Sequence, residues 1–307
     1  MIGRMLARPT NPVAYVLIAA VIMSCARDPE HVVVRDVELL IHDSHLQEAM
    51  QTANEYLKQH PDAIELLRLR VIIALKAEQL DLAAAAIKAL PRGDRVLDQA
   101  LSHRDIAVRS NAARFIAEYA IPVETPSLIR GLKDPLPAVR RYCARMLGEK
   151  RERAAIKPLF LLLRDDNWSV RAEAATALGW IKDPRAAGWL ANLLSDSDGF
   201  VRYSAATGLR EVASFENRDA LLTLYQHSGG EQRLNIAIAL AKLADPAALE
   251  SLTNAVSDNN VDVRRRVAEA LGDYGTSAAT SALTALRNDR DPAVREQALR
   301  SLSNTQH

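Results

Sequence analysis

An arginine recurs every 31 residues through the last two thirds of this chain, and that period constrains the fold more than any other feature. A valine precedes six of the seven arginines, the exception being Arg233, which follows Gln232. The repeated positions are Arg109, Arg140, Arg171, Arg202, Arg233, Arg264 and Arg295. A fixed period of this length indicates that one supersecondary unit is stacked many times.

Apolar residues follow each arginine at helical spacing. Seven residues on stands Leu or Ile in every unit, and four residues on stands Ala in six units and Leu299 in the last. Together with the valine, these positions form one buried stripe of a helix. The alanines predict that neighbouring helices approach closely: Ala113, Ala144, Ala175, Ala206, Ala237 and Ala268.

An aspartate usually stands six residues before the arginine, where an apolar stretch gives way to a short polar turn. His103 and His227 replace it in two units; the aspartates are Asp134, Asp165, Asp196, Asp258 and Asp289. An aspartate in such a turn accepts backbone N–H bonds. Each unit is therefore predicted to be helix A, a turn and helix B.

The arginine column has two interpretations. A row of arginines could bind phosphate. The favoured interpretation is structural, because each arginine lies beside a buried valine and can reach an aspartate or a carbonyl of its own or the neighbouring unit. A ladder along the stack would result.

The motif resembles the HEAT-like repeats of phycobilin lyases, in which a leucine, an aspartate turn, Val-Arg, paired alanines and Ala-Leu-Gly follow one another. The best match runs from Leu163 to Gly179. The resemblance covers residues 92–307 as seven units, of which the unit of Arg233 is degenerate. It implies an all-α, right-handed α-solenoid of helical hairpins whose B helices line the concave face.

The first 24 residues have the features of a secretory signal peptide. Arg4 and Arg8 form a positively charged start, and the apolar run 13–23 is too short to span a bilayer. Residues 1–24 are therefore predicted to be removed. An ordinary signal peptide or a membrane anchor remains the alternative.

The end of that segment resembles the lipobox of bacterial lipoproteins. Ile22 lies three residues before Cys25, and Ser24 directly precedes it. The resemblance implies lipidation of Cys25. Because Ala26 follows the cysteine instead of Asp, it also implies the periplasmic face of the outer membrane as the location.

The segment before the repeats divides into two parts. Residues 25–43 are predicted to be the lipidated cysteine and a tether, with a short strand or helix at its end. Residues 44–91 have helical patterns that resemble tetratricopeptide helices over one and a half units. Antiparallel helix pairs are expected there.

Composition and motifs argue against several functions. The net charge is +1, or −1 once Arg4 and Arg8 are removed (37 basic against 38 acidic residues), so the charge expected for nucleic-acid binding is absent. We find no catalytic motif. His42, Asp43 and His45 provide only part of a metal site. The chain is therefore predicted to be non-catalytic and to need no cofactor or metal.

Aromatic residues cluster in the middle of the chain, with eight of the 14 between positions 160 and 225. Trp180 stands in a column where the other units have charged or polar residues, so we expect it to be exposed. The predicted partner-binding residues are Trp168, Glu173, Thr176, Trp180, Phe200 and Tyr203. The alternative is that these aromatics fill gaps between units.

The predicted function is that of a membrane-anchored scaffold or adaptor, which binds a protein partner through the concave face. Exposed aromatic residues on such a face are suited to anchoring a partner. Two alternatives remain open: an accessory or enzyme of the phycobilin-lyase kind, and a periplasmic peptide- or glycan-binding module.

Overall fold

The computed structural model describes residues 29–304 and divides the chain into two compact units, with the boundary between Val123 and Glu124. Over the described residues it contains 18 α-helices, three short 3-10 turns and no strand. The predicted all-α fold is thus confirmed. The predicted signal peptide and Cys25 lie outside the described residues.

The described part of the first unit, from residue 29 onward, forms six helices, and the last of them carries Arg109, the first arginine of the repeat. Residues 44–91 are helical as predicted. The helices are α1 (Pro29–His42), α2 (Leu46–Leu57), α3 (Ile64–Lys76), α4 (Leu80–Lys88), α5 (Val96–Ala100) and α6 (Ile106–Tyr119).

Most of the segment predicted to be a tether is helix α1, which differs from the expectation for residues 25–43. Val33, Val37 and Ile41 recur every four residues and are buried. This spacing places them on one face of a helix. The adjacent valines at 32–34 concealed that period in the sequence.

The first repeat is attached to the helices before it. Asn111 Nδ2 of α6 donates a hydrogen bond to the Leu75 carbonyl at 2.9 Å. Lys76 Nζ lies 3.0 Å from the Asp105 carboxylate and donates to the Ile41 carbonyl at 2.8 Å. The compact unit therefore continues past the boundary predicted at residues 91 and 92.

The second unit is a series of six helical hairpins, and the predicted solenoid architecture is confirmed there. Its A helices are α7 (Thr125–Gly131), α9 (Ile156–Leu162), α11 (Ala187–Leu193), α13 (Arg218–His227), α15 (Pro246–Asn254) and α17 (Ser277–Leu286). Its B helices are α8 (Pro137–Glu149), α10 (Trp168–Ile181), α12 (Gly199–Val212), α14 (Gly230–Ala241), α16 (Val261–Leu271) and α18 (Pro292–Asn304).

The core of the hairpins is built from the repeated columns. The alanines four residues after each arginine are buried, as are the Leu or Ile residues seven positions on in the first six units. Leu299 is 51% exposed, because no further repeat of the described chain packs on it. Glycines bring helices α10 and α12 close: a Cβ at Gly179 would lie 2.6 Å from the Gly208 Cα.

The arginines and aspartates of successive units form a ladder. Arg171 donates from Nε and Nη2 to the two carboxylate oxygens of Asp196, at 2.8 and 2.9 Å. Its Nη1 donates to the Asp165 carbonyl of its own turn at 2.8 Å. The same paired geometry joins Arg140 to Asp165 and Arg264 to Asp289.

The ladder is incomplete at the degenerate unit, where His227 replaces the aspartate. Arg202 still bonds to its own turn, but its nearest carboxylate is that of the exposed Glu231, at 3.7 Å from Nε. Arg233 donates only to backbone carbonyls, among them that of Ser228 at 2.7 Å. This unit is joined to its neighbours less tightly.

We expect Arg171→Ala to lower the free energy of unfolding by roughly 1–3 kcal/mol, because it removes charge-assisted hydrogen bonds and leaves Asp196 half-satisfied. Arg233→Ala is the matched control and should cost much less, since that arginine has no carboxylate partner. Chemical denaturation of both variants measures the difference. Equal losses would contradict the ladder as the source of stability.

The ladder also perturbs the acidity of its carboxylates. Burial by itself would raise the pKa of Asp196, but hydrogen bonds from Arg171 and from the Asp198 backbone outweigh it, and the pKa is lowered. At Asp165, too, burial raises the pKa and the hydrogen bond from Arg140 lowers it, and the net pKa is lowered. The Arg264 hydrogen bond lowers the pKa of Asp289.

Because these pKa values are lower in the folded state, their contribution to stability is complete above the unfolded value of about 3.9. It is lost as the pH falls through the folded values. We therefore expect the melting temperature to drop steeply below about pH 4. Asp196→Asn should show a flatter pH dependence, in thermal unfolding monitored by circular dichroism. An unchanged slope would argue against this role for Asp196.

Candidate functional site: an aromatic patch on the B helices

Two exposed aromatic residues of adjacent repeats lie side by side. Trp168 and Phe200 are 47% and 70% exposed, and their ring centroids are 5.7 Å apart. Each occupies the first turn of a B helix, directly after a turn whose cap is fixed by hydrogen bonds. Asn167 accepts from the Ser169 N–H, and Asp198 accepts from the Phe200 N–H. The caps therefore fix the start of each B helix and the backbone that carries each ring.

Tyr203 extends this surface by one turn along α12. It is 48% exposed, and the Arg266 guanidinium lies 5.7 Å from its ring centre. We call Trp168, Phe200 and Tyr203 the aromatic patch. Three large apolar groups in one exposed surface form the kind of patch that marks an interaction site.

Trp180 does not belong to this patch, and it is half-buried although the sequence predicted exposure. It lies 12 residues after Trp168 on the same helix, or about 18 Å along its axis. A Cβ at Gly148 would come within 3.0 Å of the Trp180 ring. The ring therefore covers a position where the preceding repeat has no side chain.

The two polar residues of the predicted site have partners within the helices. Glu173 is largely buried, which raises its pKa, and its carboxylate lies 3.8 Å from Arg145 Nε. Thr176 Oγ1 donates to the Ala172 carbonyl at 3.1 Å. The structure thus brings together three of the six predicted site residues.

Two other aromatics of this region have a packing role. The rings of Phe160 and Trp189 lie 4.4 Å apart, joining helices α9 and α11, and both are half-buried. Phe160 and Trp189 therefore fit the alternative interpretation, in which aromatic residues fill gaps between units. Phe215, by contrast, is 79% exposed in the loop between α12 and α13.

Near Tyr203, ion pairs connect helices two repeats apart. Arg210 of α12 contacts Glu269 at 3.1 Å and Asp273 at 2.7 Å, both of them near the end of α16. The intervening B helix, α14, belongs to the degenerate unit. Sequence reasoning missed these contacts, because nothing in the sequence pattern pairs Arg210 with residues 59 and 63 positions later.

Among the described residues, no group of three His, Cys, Asp or Glu side chains is arranged to hold a metal ion. His42 Nδ1 lies 3.0 Å from the Asp43 carboxylate. In the same part of the chain, none of the helices is both long and apolar enough to cross a membrane.

The sequence profile of HEAT repeats matches residues 125–210 and 217–303. This chain belongs to the HEAT-repeat family. The match covers the hairpins that carry the ladder and the aromatic patch. No curated protein gives a significant match.

Solved structures of other helical proteins align with this chain. Importin beta aligns with a TM-score of 0.52 at 12% identity, over 84% of this chain and 45% of that chain. The CpcE–CpcF complex of phycocyanin lyase from Nostoc sp. PCC7120 aligns at 0.48 and 23% identity, over 71% and 91%. An engineered protein aligns at 0.47 and 19% identity, over 98% and 97%.

Proposed function

We propose that the protein is a non-catalytic scaffold or adaptor, which binds a protein partner through the aromatic patch. The observation that carries the proposal is the exposed contact between Trp168 and Phe200, to which Tyr203 adds a third ring. Large aromatic side chains provide most of the binding energy in many protein interfaces. The ladder supports the patch, because it holds adjacent B helices in register.

The double variant Trp168→Ala/Phe200→Ala should lose partners that the wild-type protein captures, and its melting temperature should stay within a few degrees, since both rings are exposed. The readout is affinity capture from membranes of the source cells, followed by mass spectrometry. Phe215→Ala, which removes an even more exposed ring outside the patch, is the control and should retain the partners.

Capture of the same proteins by the double variant would show that the patch is not the binding surface. Retention of a polysaccharide in place of a protein would favour the alternative of a glycan-binding module. Exposed aromatic rings can stack on a protein or on a sugar. The nature of the captured ligand therefore decides between a protein-binding scaffold and a glycan-binding module.

We also propose that the scaffold is attached to a membrane by lipid at Cys25, in the outer membrane of the source bacterium. The support is the signal-like segment 1–24 and its lipobox-like end, both outside the described residues. An acyl anchor would hold the helical units near the bilayer without a spanning helix.

Cys25→Ser should abolish the incorporation of labelled fatty acid and leave an unprocessed precursor. Fractionation of the cells and the mass of the purified protein measure both effects. Cys143→Ser is the control, because that thiol is buried in the hairpins and cannot be acylated in the folded protein. Wild-type protein without acyl label would contradict the anchor.

A further inference from the structure

The guanidinium of Arg266 faces the ring of Tyr203, as that of Arg141 faces Tyr142, but only Tyr203 belongs to the aromatic patch. Arg266 lies in α16, two residues after the ladder residue Arg264, and is half-buried. Within the described chain the contact of this group is the Tyr203 ring, and no hydrogen bond or ion pair satisfies its N–H donors. The five donors of the guanidinium fork are available for a ligand.

The carboxylates around Arg266 are engaged by other arginines. Glu269, in the next turn of α16, pairs with Arg210 at 3.1 Å. Glu231 of α14 lies 3.7 Å from Arg202 Nε. Both still act on Arg266 through space. Neither, however, occupies its donors.

Keeping a cation in this place has a cost. Burial lowers the pKa of Arg266, although an arginine remains protonated at neutral pH. The guanidinium nitrogens are not among the buried atoms that lack a partner, so water reaches them. A carboxylate that displaces this water would form a charge-assisted, bidentate pair in a half-buried place. Groups of this kind, next to an exposed ring, are typical of binding sites.

We propose that Arg266 and Tyr203 bind a side-chain carboxylate of an acidic segment in the partner protein, while an apolar side chain of the same segment rests on Phe200. This inference rests on the proposed function and specifies the partner's chemistry. A carboxylate matches the guanidinium fork in a bidentate manner.

The geometry of α12 favours a protein segment as the occupant. Phe200 and Tyr203 are three residues apart on one helix, so their side chains emerge about 5–6 Å apart. An apolar and an acidic side chain separated by a few residues of a peptide can reach both at once. Positive charge at Arg266 and apolar surface at Phe200 together complement such a segment.

The test uses an array of 12-residue peptides that pair Phe or Leu with Glu, Gln, Lys or phosphoserine at spacings of one to four residues. Binding of the purified mature protein is measured by fluorescence. Glu peptides should bind about 10- to 100-fold more tightly than their Gln counterparts, the range expected for a charge-assisted hydrogen-bond pair.

Arg266→Gln should abolish this preference for Glu over Gln, and Arg266→Lys should restore only part of it, because an ammonium cannot bind both oxygens at once. Arg265→Gln is the matched control. That neighbouring arginine already lies 3.8 Å from the exposed Asp262. Its loss should leave the preference intact. Melting temperatures of all three variants verify folding.

Several results would overturn the inference: equal binding of Glu and Gln peptides by the wild type, equal effects of Arg265→Gln and Arg266→Gln, or a preference for phosphoserine over Glu. Peptides whose binding depends on Trp168 and Phe200 but not on Arg266 would refute this inference and leave the proposed function standing. Partner capture that is insensitive to Trp168 and Phe200 would refute the proposed function itself.

Discussion

The bond from a ladder arginine to the aspartate of the next repeat, as between Arg171 and Asp196, is the interaction on which the rest of the hairpin series depends. Asp196 shows why: its carboxylate accepts two N–H groups of Arg171 and the backbone N–H of Asp198, and its carbonyl accepts from Arg202. One residue therefore fixes the turn, the neighbouring repeat and the start of its own B helix. Trp168 and Phe200, which lie in the first turns of their B helices, are therefore carried on backbone whose position these bonds fix.

The repeated features of the fold were predictable because the same residue type recurs at the same position of successive 31-residue units. A valine, an alanine and a leucine at helical spacing predict a buried stripe, and the burial of Ala175 and Leu178 follows from that pattern. The candidate site was predictable only in part. Trp168, Phe200 and Tyr203, which were predicted to bind a partner, are exposed. Trp180, which was predicted to be exposed, is half-buried because its ring lies over Gly148 in another repeat.

The degenerate unit explains why some contacts could not be predicted at all. Without an aspartate at position 227, Arg202 has only Glu231 as a carboxylate neighbour, and Arg210 pairs with Glu269 and Asp273 two repeats along the chain. Because Glu231 and Glu269 lie against Arg202 and Arg210, neither carboxylate pairs with Arg266.

Equivalent positions in the repeats can be compared with one another, which shows where stacking requires a particular residue type and where it does not. Phe200 stands where three other repeats have alanine, at positions 107, 138 and 293, so stacking does not require an aromatic ring there. Tyr203 stands in a column that includes serine, alanine and arginine. Each departs from its column in an exposed place, where it gains nothing from the core. These departures are the sequence feature on which the proposed binding surface rests, because the stacking of the repeats does not account for them.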